Sequence, residues 1–292
     1  MNINEKLGSW ILQEIVCDND KSILYDVVLD ITDDNVSEED IKELINKKWI
    51  LKGIKFDTYE IEMINFLELY KKDDTRNFNI ISMPTNPIHR YSYIKRNKNK
   101  VMVWYVMEKY DYDLGHQSEF CKINYKEIML YLLNFVEWLH VSKRLVHGDL
   151  KLSNVVYNAN INQLSIIDFE SIDKTDNILC SSSLPVGYYY YGLGCSSDMS
   201  YFSYKSELQT IGYILCNILE NYANIKWRDI AFYNYYTKIT HNSFIYLDLL
   251  RNAHFNKMPE IVKKYFEIIK DINWKEEIPN QSIYIELKKL FE

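Results

Sequence analysis

No stretch of this chain approaches the roughly 20 consecutive apolar residues that a bilayer-spanning helix needs. Metal-binding cysteine spacing is missing too: Cys17, Cys121, Cys180, Cys195 and Cys216 contain no CxxC pair and make an odd total. That argues against a zinc site or a disulfide framework and for reduced thiols in a cytosol-like compartment. The first residues, Met1-Asn2-Ile3-Asn4-Glu5, offer neither a basic start nor an apolar run, so no signal peptide is expected. Positive charge is in deficit, 34 Lys and Arg against 41 Asp and Glu. The net charge of −7 speaks against non-specific binding to nucleic acid. Internal repeats and low-complexity linkers are also absent.

What remains is an ordinary globular composition, 47% hydrophobic and 26% charged over 292 residues. That is enough chain for two compact units, or for one large domain with an ample core. Trp10 to Val16 and Ile23 to Asp30 are β-branched and aromatic-rich, and Cys17-Asp18-Asn19-Asp20-Lys21 between them predicts a hairpin. An acidic run follows (Asp33, Asp34, Glu38, Glu39, Asp40), read as a solvated surface insert. Within it, Ser37-Glu38-Glu39-Asp40 has the form of a helix start, with Ile41, Leu44 and Ile45 at helical spacing. Trp49-Ile50-Leu51-Lys52 predicts a third strand, Tyr59 to Tyr70 a helix against a sheet, and Val101 to Glu108 a further strand. The character then changes. Ile128, Leu132, Phe135 and Leu139 stripe a helix from Tyr125 to His140. Short strands at Val155 to Tyr157 and Leu164 to Ile167 flank the turn-prone Asn158-Ala159-Asn160. From Glu207 onward Leu208, Ile211, Leu215 and Ile218 line one helix face. The order predicts an α+β chain with a small β-rich part to residue 107 and a larger helical part over 108–292.

One stretch carries chemistry. In His147-Gly148-Asp149-Leu150-Lys151-Leu152-Ser153-Asn154, Lys151 and Asn154 follow Asp149 by two and five positions, and Asp168-Phe169 comes nineteen positions after that Asp. These residue types at these spacings match a known phosphoryl-transfer pattern, and the roles come from that pattern: Asp149 can orient and deprotonate a hydroxyl, Lys151 can neutralise a transferring phosphoryl group, and Asn154 and Asp168 can hold the Mg2+ that bridges nucleotide phosphates. His147 reads as a structural residue bracing this loop and not as an acid–base group.

These residues resemble the eukaryotic-type protein kinase superfamily, and the resemblance covers most of the chain. It implies a bilobal protein-kinase-like fold using ATP and Mg2+. Val106-Met107-Glu108 resembles the strand entering the hinge between the lobes. The resemblance gives backbone groups of Glu108 and Tyr110 the adenine edge, makes Met107 the gatekeeper, and adds Val156 to the nucleotide-binding residues. Trp49-Ile50-Leu51-Lys52 resembles the strand whose Lys grips the α- and β-phosphates. Glu60-Ile61-Glu62-Met63-Ile64 resembles the helix whose Glu pairs with that Lys. Lys52 with Glu60 is the assignment, and Lys55 and Glu62 are the competing positions. Within the superfamily the chain is similar to the vaccinia-related kinases and their poxviral members. His147-Gly148-Asp149 has Gly where most kinases have Arg, and Lys205-Ser206-Glu207-Leu208-Gln209-Thr210-Ile211-Gly212-Tyr213 resembles the R-R-G-D-L-E-x-L-G-Y helix start. Trp10-Ile11 and Ser22-Ile23-Leu24-Tyr25 match at similar places. Lys151 two residues past the Asp is the serine/threonine arrangement. Gly148 removes the Arg that would receive a phosphorylated activation loop, so activation by that route is not expected. The implied partner is a protein substrate at Ser or Thr, with no nucleic acid and no membrane. The implied location is the cytoplasm, the host's if the protein is viral.

Two departures stand against the pattern. The glycine-rich loop between the first two strands is missing: its place holds Cys17 to Lys21, and the nearest glycine is Gly8. Asp18 and Asp20 would bring negative charge toward phosphates, which at about 4 Å in solvent costs roughly 1 kcal/mol, about tenfold in affinity or less. Asp168-Phe169-Glu170 replaces Asp-Phe-Gly. Three readings follow: an active serine/threonine kinase, a pseudokinase that binds or antagonises a partner, or a small-molecule phosphotransferase of the aminoglycoside or choline type, whose I-D-F-E motif Ile167-Asp168-Phe169-Glu170 resembles. Lys151 and the Val106-Met107-Glu108 and Glu207-to-Tyr213 segments count against the third.

Overall fold

The computed structural model describes residues 3–18, 22–55, 91–96, 100–115, 123–169, 172–174, 178–179, 195–196, 199–201, 204–223, 259–272 and 280–292. The described residues divide into two compact units. One holds those up to Asp111 together with 157–170, and the other those of 112–156 and from 171 onward. The sequence division at 107 and 108 is a single cut, whereas the contacts return the stretch containing Asp168 to the first unit.

The first unit is built on a six-stranded antiparallel sheet. Its strands are β1 (Lys6–Leu7), β2 (Trp10–Asp18), β3 (Ser22–Leu29), β4 (Trp49–Lys55), β5 (Tyr91–Arg96) and β6 (Lys100–Glu108), in the order β1-β2-β3-β4-β6-β5. Along β3 the two-residue period buries Ile23, Tyr25 and Val27. They join Leu7, Trp10, Leu12, Leu44, Trp49, Leu51, Trp104 and Val106 in one core. β2 keeps this alternation only as far as Leu12. Register shifts between Leu12 and Glu14 and between Ile15 and Cys17 break the ladder. Ile15 and Val16 are exposed as a result.

At the middle of β4, Gly53 lies across from Trp104. A Cβ there would fall 2.3 Å from the indole, so only glycine lets this fully buried ring close over the strand. Helix α1 (Glu38–Leu44) follows the predicted signal. Ser37 caps it in a reciprocal box with Asp40, and the Trp49 indole donates to the Leu44 carbonyl at 2.8 Å. Leu44 is buried, while Ile45 is exposed. Of the acidic run, Asp34, Glu38 and Glu39 are exposed as expected, whereas Asp33 and Asp40 are not. Lys6 pairs with Asp30 at 3.0 Å and with Asp33 at 2.6 Å, and Asp40 is buried in its cap.

The second unit is mainly helical, with α2 (Tyr125–Glu137), α3 (Tyr204–Ala223), α4 (Glu260–Ile269) and α5 (Gln281–Lys289). α3 packs on α2 and α4, and α5 packs on the same two. The predicted face of α3, Leu208, Ile211, Leu215 and Ile218, is wholly buried. Gly212 on α3 lets the Tyr265 and Phe266 rings of α4 come close, since a Cβ would meet them at 2.8 to 2.9 Å. Lys205 is buried and donates to the carbonyls of Lys270 and Ile272, satisfying groups just past the end of α4. At the other end of the chain Lys288 clasps α5 to Glu137 at 2.6 Å and to Asn134 at 3.2 Å.

The helix expected to run to His140 is α-helical only to Glu137. Trp138–Lys143 is a π-turn, closed when the Arg144 amide, from a left-handed residue, donates to the Leu139 carbonyl. The wider turn buries Trp138, Leu139 and His140 in succession, which an amphipathic helix on a surface does not do. Among the described residues, no helix is long and apolar enough to cross a membrane.

Candidate functional site

The expected site residues fall in both units. Lys52, Glu108, Tyr110 and Asp168 are in the first; Asp149, Lys151, Asn154 and Val156 are in the second. Glu60 and its competitor Glu62, with the helix expected over Tyr59 to Tyr70, lie outside the described residues, as do the hairpin tip at 19–21 and Glu170. Cys17 and Asp18, expected in that tip, are instead ladder residues of β2, opposite Leu24 and Ile23.

In the first unit the β-ladder sets Lys52 opposite Tyr105, and its ammonium stands 5.7 Å from that ring's centre. The same ammonium is 3.4 Å from an Asp168 carboxylate oxygen. Lys52 is largely buried and Asp168 about a quarter exposed. Asp168 holds a left-handed backbone, φ 70°, a conformation that Asp tolerates better than most residues. The backbone thus turns sharply at the carboxylate that meets Lys52. Lys52 and Asp168 are 116 residues apart in sequence.

Glu108 ends β6 with its side chain on Lys47 at 2.9 Å. The next residues are tied down likewise. Lys109 grips both oxygens of Asp26 at 2.6 and 2.5 Å, and Asp111 accepts from Lys48 at 3.1 Å. The phenol of Tyr110 is buried and accepts a hydrogen bond from Ser165 at 2.7 Å. Burial pushes that phenol up to about 12, so it stays protonated. Both side chains, Glu108 and Tyr110, therefore have structural partners.

The second unit holds the loop that carries the motif. β7 (Leu145–Val146) pairs with β9 (Asp173–Lys174), the motif follows β7, and a 3-10 turn at Leu152–Asn154 leads into β8 (Val155–Asn158). Asp149 is almost fully buried, and its carboxylate receives the Lys151 ammonium at 2.6 Å. Asn154 donates its amide nitrogen to the Asp149 carbonyl at 2.8 Å and to the carboxylate at 3.2 Å. The nitrogen being committed, the amide oxygen is the end left for a hard cation. Val156 is buried in β8.

Three features escape a reading of the motif alone. Gly148 sits at φ 80°, a left-handed backbone that glycine adopts at least cost. Glu207, buried on α3, accepts the backbone amides of His147 at 2.9 and 3.0 Å and of Gly148 at 3.1 Å. His147 in turn accepts the Asp149 amide on its Nδ1 at 3.3 Å. Glu207 also takes a hydrogen bond from His140 Nε2 at 2.7 Å. Burial drives its carboxyl up, but the bonds from His140 and the loop outweigh that and hold it below the ordinary range. Glu207 stands at a family-like helix start, so its position was visible, whereas its three donors were not.

The sequence matches no protein-family profile and no curated protein. Among solved structures the fold is similar to that of vaccinia related kinase 3, with a TM-score of 0.63 over 97% of this chain and 85% of that one, at 15% identity. That likeness, with a β-sheet unit and a helical unit built as above, makes this chain an α+β protein with a bilobal, protein-kinase-like fold.

Proposed function

We propose that this protein is a serine/threonine protein kinase that transfers the γ-phosphoryl group of ATP to protein hydroxyls. The observation that carries the proposal is the loop at Asp149: a buried carboxylate with a lysine at 2.6 Å and an asparagine holding its own backbone. In this reading Asp149 orients the substrate hydroxyl and takes its proton, and Lys151 neutralises charge on the group in transit. Lys52 grips the α- and β-phosphates, with Glu60 as its partner. Backbone groups of Glu108 and Tyr110 hold the adenine edge, and Val156 lies against the nucleotide.

Asp168 and Asn154 would hold Mg2+, a hard cation suited to a carboxylate and an amide oxygen. Among the described residues no cluster of three or more His, Cys, Asp or Glu could hold a metal ion unaided. When bound, Mg2+ would neutralise charge on the nucleotide's phosphates. Action in the cytoplasm, a host's if the protein is viral, belongs to the same reading.

The test is transfer of radiolabelled γ-phosphate, with Mg2+ and generic basic and acidic protein substrates, beside Asp149→Asn. Label on Ser or Thr that disappears in the variant is the expected result. Transfer that survives would remove Asp149 as the base. Label on a soluble metabolite alone would turn the assignment to a small-molecule phosphotransferase.

A second reading, a pseudokinase acting by binding, draws on the β2–β3 hairpin. Its ladder runs to Asp18 with no glycine between Gly8 and Gly53, so no glycine-lined backbone cradles phosphates there. If that reading holds, Asp149→Asn leaves the biological effect intact.

A further inference from the structure

Behind the catalytic loop lies a chain of buried hydrogen bonds that phosphoryl transfer itself does not use. Tyr284, on α5, meets His140 Nδ1 through its hydroxyl at 2.6 Å. His140 Nε2 meets Glu207 at 2.7 Å, and Glu207 holds the His147 and Gly148 amides. His140, Glu207 and Tyr284 are each no more than 1% exposed. The Tyr284 ring also packs edge-on against His140, 5.9 Å between centres, and Tyr204 flanks the imidazole at 4.7 Å.

For a neutral imidazole the donor inventory closes in one direction. A carboxylate only accepts, so His140 Nε2 must carry the proton it gives to Glu207. In the neutral ring Nδ1 is then a lone pair, and the Tyr284 hydroxyl donates to it. Glu207 thereby sets the imidazole tautomer, and the hydroxyl on the last helix, donating to Nδ1, anchors the ring that holds Glu207 against the two amides beside Asp149. We infer that Tyr284 is a positioning residue for the 147–149 loop, acting through His140 and Glu207, so that the C-terminal helix sets the geometry of the candidate base. The kinetic consequence rests on the protein-kinase reading; the structural one does not.

Tyr284→Phe removes one oxygen and keeps the ring, and Lys288→Ala loosens α5 on α2 without touching the relay. Hydrogen exchange of peptides covering 145–151 is the first readout. Tyr284→Phe should speed exchange at 147 and 148 about fivefold, the loss of roughly one hydrogen bond, while Lys288→Ala leaves those amides unchanged. Nitrogen-15 shifts of His140 in the unaltered protein should show the Nε2–H tautomer, whether or not the variants fold. In the transfer assay Tyr284→Phe should lower kcat by about five- to tenfold and leave KM for ATP within about twofold. A purely structural tyrosine would lower thermal stability without that split. Unchanged exchange in Tyr284→Phe, equal loosening in Lys288→Ala, or the opposite tautomer would each overturn the inference. If neither protein transfers phosphate, the exchange and tautomer results still decide it, and only the kinase reading falls.

Discussion

Asn154 points its side-chain nitrogen at the backbone oxygen of Asp149, 2.8 Å away, and at its carboxylate, 3.2 Å away. The residue assigned to the metal therefore also holds the residue assigned as base. Asn154→Asp separates the two roles, because Asp is a good Mg2+ ligand but presents an acceptor to two acceptors. Transfer should fall about a hundredfold or more through misplacement of Asp149, with a loss of about 1–3 kcal/mol in stability. Chemical denaturation and the transfer assay check both figures. Full activity in the variant would leave metal ligation as the only role of Asn154.

Gly148 is held at φ 80°, where an L side chain costs about 1–2 kcal/mol. Gly148→Ala should lower the melting temperature by a few degrees, and Gly148→Asn by less, since Asn enters this region more readily. Calorimetry of the two variants tests the order. An alanine variant as stable as the parent would show that the loop does not need this conformation.

Gly53 yields to the Trp104 indole, and a methyl group 2.3 Å from that buried ring has nowhere to go. Gly53→Ala should cost about 1–3 kcal/mol through overpacking. Its near-ultraviolet circular dichroism should change as the indole shifts. An unaltered spectrum and denaturation midpoint would contradict the packing described for β4 and β6.

Asp33 is held down to about 2 from the usual 3.8, first by the hydrogen bond from Lys6 and then by those from Asn35. Asp30 is lowered too, by Thr32 and Lys6. A lowered carboxylate stabilises the fold fully above its unfolded value and loses that effect as pH falls through its folded one. Lys6→Met should thus melt below the parent at neutral pH, with the gap closing between pH 4 and 2. A gap independent of pH would assign the effect of Lys6 to something other than these carboxylates.

The sequence exposed most of what is local. Ser37 and Asp40 form the predicted cap, Ile23 to Asp30 is a strand bar its last residue, and the α3 stripe is buried as its period required, because each depends on neighbours within a few residues. What escaped depends on partners far along the chain. Nothing near Asp33 announces Lys6, and the tie of His140 to Glu207 and Tyr284 crosses 67 and 144 residues. Bulges in β2 were invisible for the same reason, since register is set by the facing strand. Of the chemistry, the spacing of Asp149, Lys151 and Asn154 was legible because the loop is short, whereas the meeting of Lys52 with Asp168 needed the fold.

The π-turn after α2 bears on how this chain should be lined up with others. A turn closed from Arg144 to Leu139 spends one residue more than an α-helical turn over the same height. A relative that continues the regular helix here must therefore be one residue shorter between Glu137 and Arg144, or its histidine would rotate away from the acid on α3. Homologues should accordingly sort by a single-residue gap in this segment, with gap and histidine gained or lost together.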